Sequence, residues 1–311
     1  MMGAGGHDDC ARQVRKQLCQ TALNPGKFQP MNWCEILMRE SEFEFIRKLV
    51  YERSRICLDA GKREMVTARL GKRLRATNLT SVTEYCALLR SHDAGEELAH
   101  LIDAISTNHT FFFRENAHFE FVRDTIVPEM LQRRNAERWP RFLAWSAACS
   151  SGEEPYSLAI ILHQALGADW EWHIQCTDIS HRILVRAKQG IYREDVVDKM
   201  PAPLVRQYFQ EGIGPQAGNY RVRPEIRRPL SFHQLNLLEG DSPLNERFHL
   251  IVCRNVMIYF DRPTQEQLIE RLTRRLLPGG YLLVGHSESL TAIRHTLQPV
   301  RPAIYRRRPA S

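Results

Sequence analysis

From Ser41 the apolar residues recur at helical spacing: Phe43, Ile46 and Val50, flanked by Phe45 and Leu49, make one stripe. Ser41 and Glu44 stand at the distance of a capping box, which places the helix start there. Gly61 interrupts the pattern, and Arg63–Arg75 resumes it with Val66, Leu70 and Leu74 on one face. Ser81–Ser91 and Ala94–Ser106 predict two more helices. Residues 39–107 therefore read as an all-helical N-terminal domain. Residues 1–38 hold Gly, Pro, Gln and Asn with weak periodicity and read as a flexible leader, with a short helix near Arg12–Thr21. Residues 108–140 read as a helical linker.

Beyond Pro140 the pattern alternates between short apolar runs and helical stripes. Arg141–Ala147, His173–Thr177, Phe248–Cys253 and Gly280–Gly285 predict buried strands. Pro155–Leu166, Ser180–Lys188 and Thr264–Leu276 predict the helices between them. That alternation is the signature of an α/β domain, here 141–311, with a doubly wound parallel sheet. About residues 205–235 the rhythm breaks. Gly212, Gly214, Pro215 and Gly218 precede Tyr220–Val222 and Leu230–Phe232, predicting a small antiparallel β insertion packed on the main sheet. The basic tail Arg306-Arg307-Arg308 reads as solvated.

Composition narrows the class. The 311 residues are 43% hydrophobic and 25% charged, a globular balance that excludes a wholly disordered chain. The longest apolar runs, such as Leu250–Cys253, are strand-sized, far below a membrane span, and the N-terminus lacks the apolar core of a signal peptide. The eight Cys form no CxxC pair and sit beside no His cluster, which predicts reduced thiols, a cytoplasmic location and no metal site. The net charge of +7 favours acidic partners without choosing among them.

Candidate chemistry gathers at the first strand-to-helix junction. Ala147, Ala148, Ser150, Ser151 and Gly152 are all small, so a ligand can approach the backbone there. Glu153 and Glu154 follow; acids at this place would repel a phosphate, and they also complement a helix dipole. Asp178 ends the second strand, where an acid can accept both hydroxyls of a ribose or cap the next helix. Together these features suit an adenosine ligand without a pyrophosphate, and S-adenosylmethionine fits better than NAD.

Four segments carry a resemblance: Thr107-Asn108-His109-Thr110-Phe111-Phe112-Phe113-Arg114-Glu115, Ser150-Ser151-Gly152-Glu153-Glu154-Pro155-Tyr156-Ser157, Cys176-Thr177-Asp178-Ile179-Ser180 and Cys253-Arg254-Asn255-Val256-Met257-Ile258-Tyr259-Phe260. In order and spacing they resemble the CheR-type chemotaxis receptor glutamate O-methyltransferases, over about residues 40–305. The resemblance implies a Rossmann-like methyltransferase domain that uses S-adenosylmethionine and releases S-adenosylhomocysteine, with no metal. It implies that Asn108, Thr110 and Arg114 hold the donor's methionine end, with Glu153 near its charged end and Glu154 as a neighbour. Asp178 would bind the ribose, Asn236 and Leu237 would frame the adenine, and Arg254 and Asn255 would line the floor. Arg114 and Tyr259 would be the catalytic pair, acting by positioning.

The partners implied are methyl-accepting chemoreceptors, met through Glu-rich helices and, in some members, through a receptor's C-terminal peptide added to the β insertion. Gly61–Arg75 holds six basic residues against the single acid Glu64, and Arg69, Lys72 and Arg73 are the docking candidates; a merely solvated face is the alternative. The chain is expected to be a monomer that binds no nucleic acid and inserts in no membrane. Two other functions stay open at this point. One is a non-catalytic S-adenosylmethionine-binding signalling module. The other is a nucleic-acid methyltransferase, against which stands the absence of an Asn/Asp-Pro-Pro-Tyr motif at Arg254-Asn255-Val256-Met257.

Overall fold

The computed structural model describes residues 37–91, 94–167, 169–239 and 244–309, and Met38–Ser311 pack into one unit. The expected leader, with its helix near Arg12–Thr21, lies outside the described residues apart from its last two positions. Four helices come first: α1 (Glu40–Ser54), α2 (Arg63–Thr77), α3 (Val82–Arg90) and α4 (Gly95–Ile105). Their stripes meet in an apolar interior: Phe43, Ile46 and Val50 of α1, Val66, Leu70 and Leu74 of α2, and Leu101 and Ile105 of α4 are all buried. The start of α1 differs from the sequence expectation. Glu42, not Glu44, reaches back, accepting the Arg39 N–H at 2.8 Å, so the helix begins before Ser41. Thr83 of α3 donates to the other oxygen of the same carboxylate at 2.6 Å, which fixes that choice.

The connector to the sheet contains α5 (Ala117–Phe121) and α6 (Val127–Glu137), joined through a π-helical turn at Val122–Ile126. The α/β part then runs β1 (Phe142–Ala147), α7 (Glu153–Leu166), β2 (Trp172–Asp178), α8 (His181–Gln189), β3 (Ile191–Arg193), α9 (Ala202–Tyr208), β4 (Phe209–Glu211), β5 (Asn219–Val222) and β6 (Leu230–Gln234). It ends with β7 (Phe248–Cys253), α10 (Arg262–Arg275), β8 (Leu276–Val284), β9 (Gln298–Arg301) and β10 (Ile304–Arg306).

The main sheet has the order β6-β2-β1-β7-β8-β10-β9, parallel from β6 to β8 and closed by an antiparallel hairpin. The chain moves outward from β1 to β2 to β6, then crosses back to β7 on the other side of β1. That reversal opens a crevice at the carboxyl ends of β1 and β7, where doubly wound sheets bind ligands. Alternation along the strands feeds two apolar layers: Leu250 and Val252 enter one, Ile251 and Cys253 the other.

Two expectations are corrected. Leu230–Phe232 does not belong to the antiparallel insertion. It lies in β6, which pairs parallel with β2 from Leu230↔Ile174 to Gln234↔Asp178. The insertion is instead the sheet β3-β5-β4, so it begins near Ile191 and draws on a strand that the short run Ile191-Tyr192-Arg193 gave little sign of. The tail is also anchored. Arg306 pairs with Glu129, and Arg307 donates to the Thr273 carbonyl at 3.3 Å and to that of Leu276. β10 lies between β8 and β9, so Arg306 and Arg307 land on acceptors, while Arg308 stays exposed.

Candidate active site

Each wall of the crevice is a strand end. The loop after β1 brings Ala148, Cys149 and Ser150; β2 ends on Asp178 and Ile179; the segment after β6 brings Asn236 and Leu237; β7 ends on Arg254, Asn255 and Val256. Asn108, Thr110 and Arg114 enter from the segment ahead of α5, Tyr259 from the short turn Met257–Tyr259, and Ser54, Ile56 and Ile105 of the helical part close one side. The cleft opens to solvent and has a cavity volume of about 110 Å³. Ten of the eleven residues expected at or beside the donor therefore share one cleft. Glu153 is the exception.

Glu153 and Glu154 open α7, and successive helical side chains point about 100° apart. Glu153 accepts the Ser151 hydroxyl at 2.6 Å and is buried away from the cleft, its carboxyl pushed up by burial. Glu154 is the member that faces the cleft, accepting from Ser146 at 2.8 Å and pairing with Arg254 at 3.4 Å. Its carboxyl is also raised by burial, with Arg254 pulling it back. Of the two acids, Glu154 lines the cleft and Glu153 does not.

The small residues are required by the backbone. Ala148 and Ser150 stand at φ 65° and 51°, in the left-handed region that bulky side chains avoid. Gly152 has φ 100°, and a Cβ there would lie 2.8 Å from the Tyr192 hydroxyl. Asp178 locks this loop to β2. One carboxylate oxygen accepts the Ser150 N–H at 2.9 Å and the other the Ser180 N–H at 3.0 Å. Burial raises its pKa against these two bonds. The helix cap is a separate residue: Ser180 Oγ accepts the Ile183 N–H at 3.2 Å, so Asp178 is not the N-cap of α8.

Arg254 ties three chain segments together. Its side chain is 1% exposed, and it meets Glu115 at 3.0 Å, Glu154 at 3.4 Å and the Arg114 carbonyl. Burial opposes ionisation of Glu115, but Arg254, Asn255 and the His286 N–H outweigh it, so its carboxyl sits below the usual range. The segment Thr107–Glu115 is held further by Ser157, whose hydroxyl accepts the Phe113 N–H at 2.9 Å, and by Ser150, whose hydroxyl donates to the Asn108 carbonyl at 3.3 Å. Arg114 donates to the His109 carbonyl at 3.0 Å with its guanidinium on the cleft. Asn236 donates to the Arg53 carbonyl at 3.0 Å and accepts the Leu238 N–H at 3.1 Å, so its side chain joins the helical part to the sheet. Tyr259 accepts the Cys57 N–H on its carbonyl at 2.8 Å, with Lys62 5.9 Å from the centre of its ring.

Two residues without an assigned role prove structural to the site. Glu115 stood inside a quoted segment but carries no ligand expectation. Glu288 is buried and accepts three backbone N–H groups, from Gly285 at 2.6 Å and from Asn255 and Met257 at 2.7 Å each. A lone acid among Gly, His and Ser after a buried strand was its only sequence signal.

The proposed docking face also changes. Arg73 is not free to meet a partner: it grips Glu97 with two bonds, at 2.9 and 2.6 Å, while Tyr85 donates to the same carboxylate. Arg69 donates to the Ile105 carbonyl and to Thr107 at 3.0 Å. Of the three, Lys72 is the exposed one. The helix sits on α4, and the two arginines spaced four apart face that neighbour.

The donor set fits S-adenosylmethionine. Carboxylates at Asp178 and Glu154 and the guanidinium of Arg114 give the cleft acidic and basic groups for a ligand with a sulfonium, hydroxyls and an α-carboxylate, and the left-handed loop brings backbone close without a phosphate-binding glycine run. Comparison with known proteins agrees. Residues 108–305 match the family described as CheR methyltransferase, SAM binding domain, and residues 41–106 match CheR methyltransferase, all-alpha domain. Chemotaxis protein methyltransferase 2 of Pseudomonas aeruginosa is 40% identical over 265 residues, covering 85% of this chain and 92% of that protein. The chemotaxis protein methyltransferase of Salmonella typhimurium is 40% identical over 257 residues, 82% of this chain and 86% of that one. That of Borreliella burgdorferi is 34% identical over 275 residues, 88% and 96% of the two chains.

Proposed function

Since this chain belongs to the CheR methyltransferase family, we propose that it esterifies glutamate side chains of methyl-accepting chemoreceptors. The protein is an S-adenosylmethionine-dependent methyltransferase of chemotaxis-type signalling. A non-catalytic sensor and a nucleic-acid methyltransferase are both disfavoured by that membership. The carrying observation is the convergence of Asp178, Glu154, Arg114, Asn236 and Tyr259 on one cleft at the switch point of the sheet.

The donor supplies an electrophilic sulfonium methyl group. In this reading the ribose hydroxyls meet Asp178, the adenine meets Asn236 and Leu237, and the methionine carboxylate meets Arg114 through a guanidinium fork. Asn108 and Thr110 border the same end. Arg254 and Asn255 shape the floor, held from behind by Glu115 and Glu288. Tyr259 orients the acceptor beside the methyl. A glutamate carboxylate has a pKa near 4.3 and is ionised at neutral pH, so no general base is needed. Opposite charges cancel as the methyl moves, so a partly dry cleft and fixed alignment supply the rate. The receptor's Glu-rich helices meet Lys72 and the exposed cations around it, and the edges of the β3-β5-β4 sheet offer a place for a peptide strand. Among the described residues no helix is long and apolar enough to cross a membrane.

The test uses methyl-labelled S-adenosylmethionine, the purified chain and membranes bearing chemoreceptors. Alkali-released volatile label that requires both receptor and an intact Asp178 is the expected result, because carboxyl methyl esters are base-labile. Label stable to alkali would sink the glutamate assignment and leave the donor site standing.

A further inference from the structure

Beside Arg254, and outside the residues that line the cleft, three ligand-type side chains meet. The described residues hold one cluster of His, Cys or acidic groups able to take a metal: Glu115, His118 and His286, with one ligand atom from each within 4.8 Å of the others. His118 is 2% exposed, and neither of its ring nitrogens has a hydrogen-bond partner. A buried imidazole with both nitrogens unused is unusual, because buried polar groups are nearly always paired. His118 Nδ1 lies 3.5 Å from Glu115 Oε2. Two ligand atoms on a tetrahedral Zn²⁺ with bonds of about 2.0–2.1 Å stand at roughly that separation. His286 is exposed on its loop, its ring edge-on to His118 at 4.8 Å, so a small turn of its side chain completes the set and leaves a route in from solvent.

The charges at the cluster are mixed: Arg254 opposes a cation there, while Glu115, which it shares with Glu154, attracts one. Arg254 retains Glu154 and the Arg114 carbonyl when Glu115 turns to a metal, so no buried cation is left unpaired.

We propose that Glu115, His118 and His286 form a binding site for a borderline-soft divalent cation of the Zn²⁺ type, and that its occupation loosens the donor cleft. Glu115 is the link. It now holds Arg254 at 3.0 Å and the Asn255 side chain at 3.4 Å, and both of these line the cleft. A metal that takes the carboxylate withdraws both supports. The site is regulatory and takes no part in methyl transfer, which needs no metal. The binding claim stands independently of the methyltransferase reading; only the coupling rests on the donor site.

The experiment titrates the full chain, under reducing conditions, with Co²⁺ as a visible-absorbing stand-in for Zn²⁺. The expected result is d–d bands of a tetrahedral nitrogen and oxygen site at one Co²⁺ per chain, bleached by Zn²⁺. His286→Ala, an exposed change outside the cleft, is expected to weaken this binding about tenfold or more, and His118→Gln likewise. No such bands, bands carrying thiolate charge-transfer, or unchanged affinity in His286→Ala would overturn the site. Calorimetry of S-adenosylmethionine binding with and without Zn²⁺ tests the coupling. A Zn²⁺-dependent loss of affinity in the native chain that His286→Ala abolishes supports it. Equal donor affinity with the metal bound overturns it. A chain that binds Co²⁺ as described but no S-adenosylmethionine at all would instead count against the donor reading.

Discussion

Asp178 ties two parts of the fold together at the rim of the cleft. Its two oxygens already accept backbone N–H groups from Ser150 and Ser180, and each retains lone pairs toward the cleft. Asp178→Asn keeps the shape and one acceptor while removing the charge. Charge-assisted bonds contribute about 1.5–3 kcal/mol each, so S-adenosylmethionine affinity is expected to fall by at least tenfold in calorimetry, with circular dichroism unchanged. Native-like affinity would remove Asp178 from the ribose role. At this scale the sequence was informative where the chemistry needs a residue type at a strand end, as with Asp178 and Arg254. It is silent where rotation about a helix decides direction. Glu153 and Glu154 are chemically identical neighbours, and only the packing of α7 shows that the second faces the cleft. Glu288 was illegible because two of its three partners are backbone groups more than thirty residues away.

Among the elements, α2 separates two kinds of basic residue. Arg73 neutralises Glu97 in a part-buried pocket shared with Tyr85, whereas Lys72 points outward. Arg73→Ala leaves Glu97 without its cation, and losses of this kind cost about 2–4 kcal/mol, read as a lowered denaturant midpoint. Lys72→Glu is expected to leave that midpoint within about 0.5 kcal/mol. It should slow receptor methylation at low salt, with the difference shrinking as salt is added. Equal rates for Lys72→Glu and the native chain at low salt would end the docking role of α2. The periodicity located α2, α3, α4 and, of the parallel sheet, β1, β2, β7 and β8, because long amphipathic and apolar runs report burial directly. The β3-β5-β4 sheet was misjudged for the converse reason: its strands are only three or four residues long, and period-two alternation needs more positions to show.

For the whole molecule, acid stability follows from imidazoles held neutral. His249, on β7, is buried against Phe142, Trp139 and Trp170, and its Nδ1 accepts the Leu143 N–H at 3.0 Å. Burial, with Arg133 adding to it, pushes its pKa down to about 4. The unfolded chain binds that proton near pH 6.5, so between 6.5 and 4 it takes up more protons than the folded one. The stabilising contribution is therefore complete above pH 6.5 and lost as the pH falls toward 4, by an amount on the order of 3 kcal/mol. His249→Phe is expected to flatten the decline of melting temperature over that window. An unchanged slope would show that other groups govern it.

The grip of Arg254 on two acids from distant parts of the chain has a consequence for descent. Replacing Arg254 alone strands both acids at about 3–5 kcal/mol, against a total stability of about 5–15 kcal/mol for a typical protein. A lineage cannot easily drift through such a step. The codons for positions 115, 154 and 254 are thereby bound to a common fate, inherited together or replaced together, although the first and the last stand 139 positions apart.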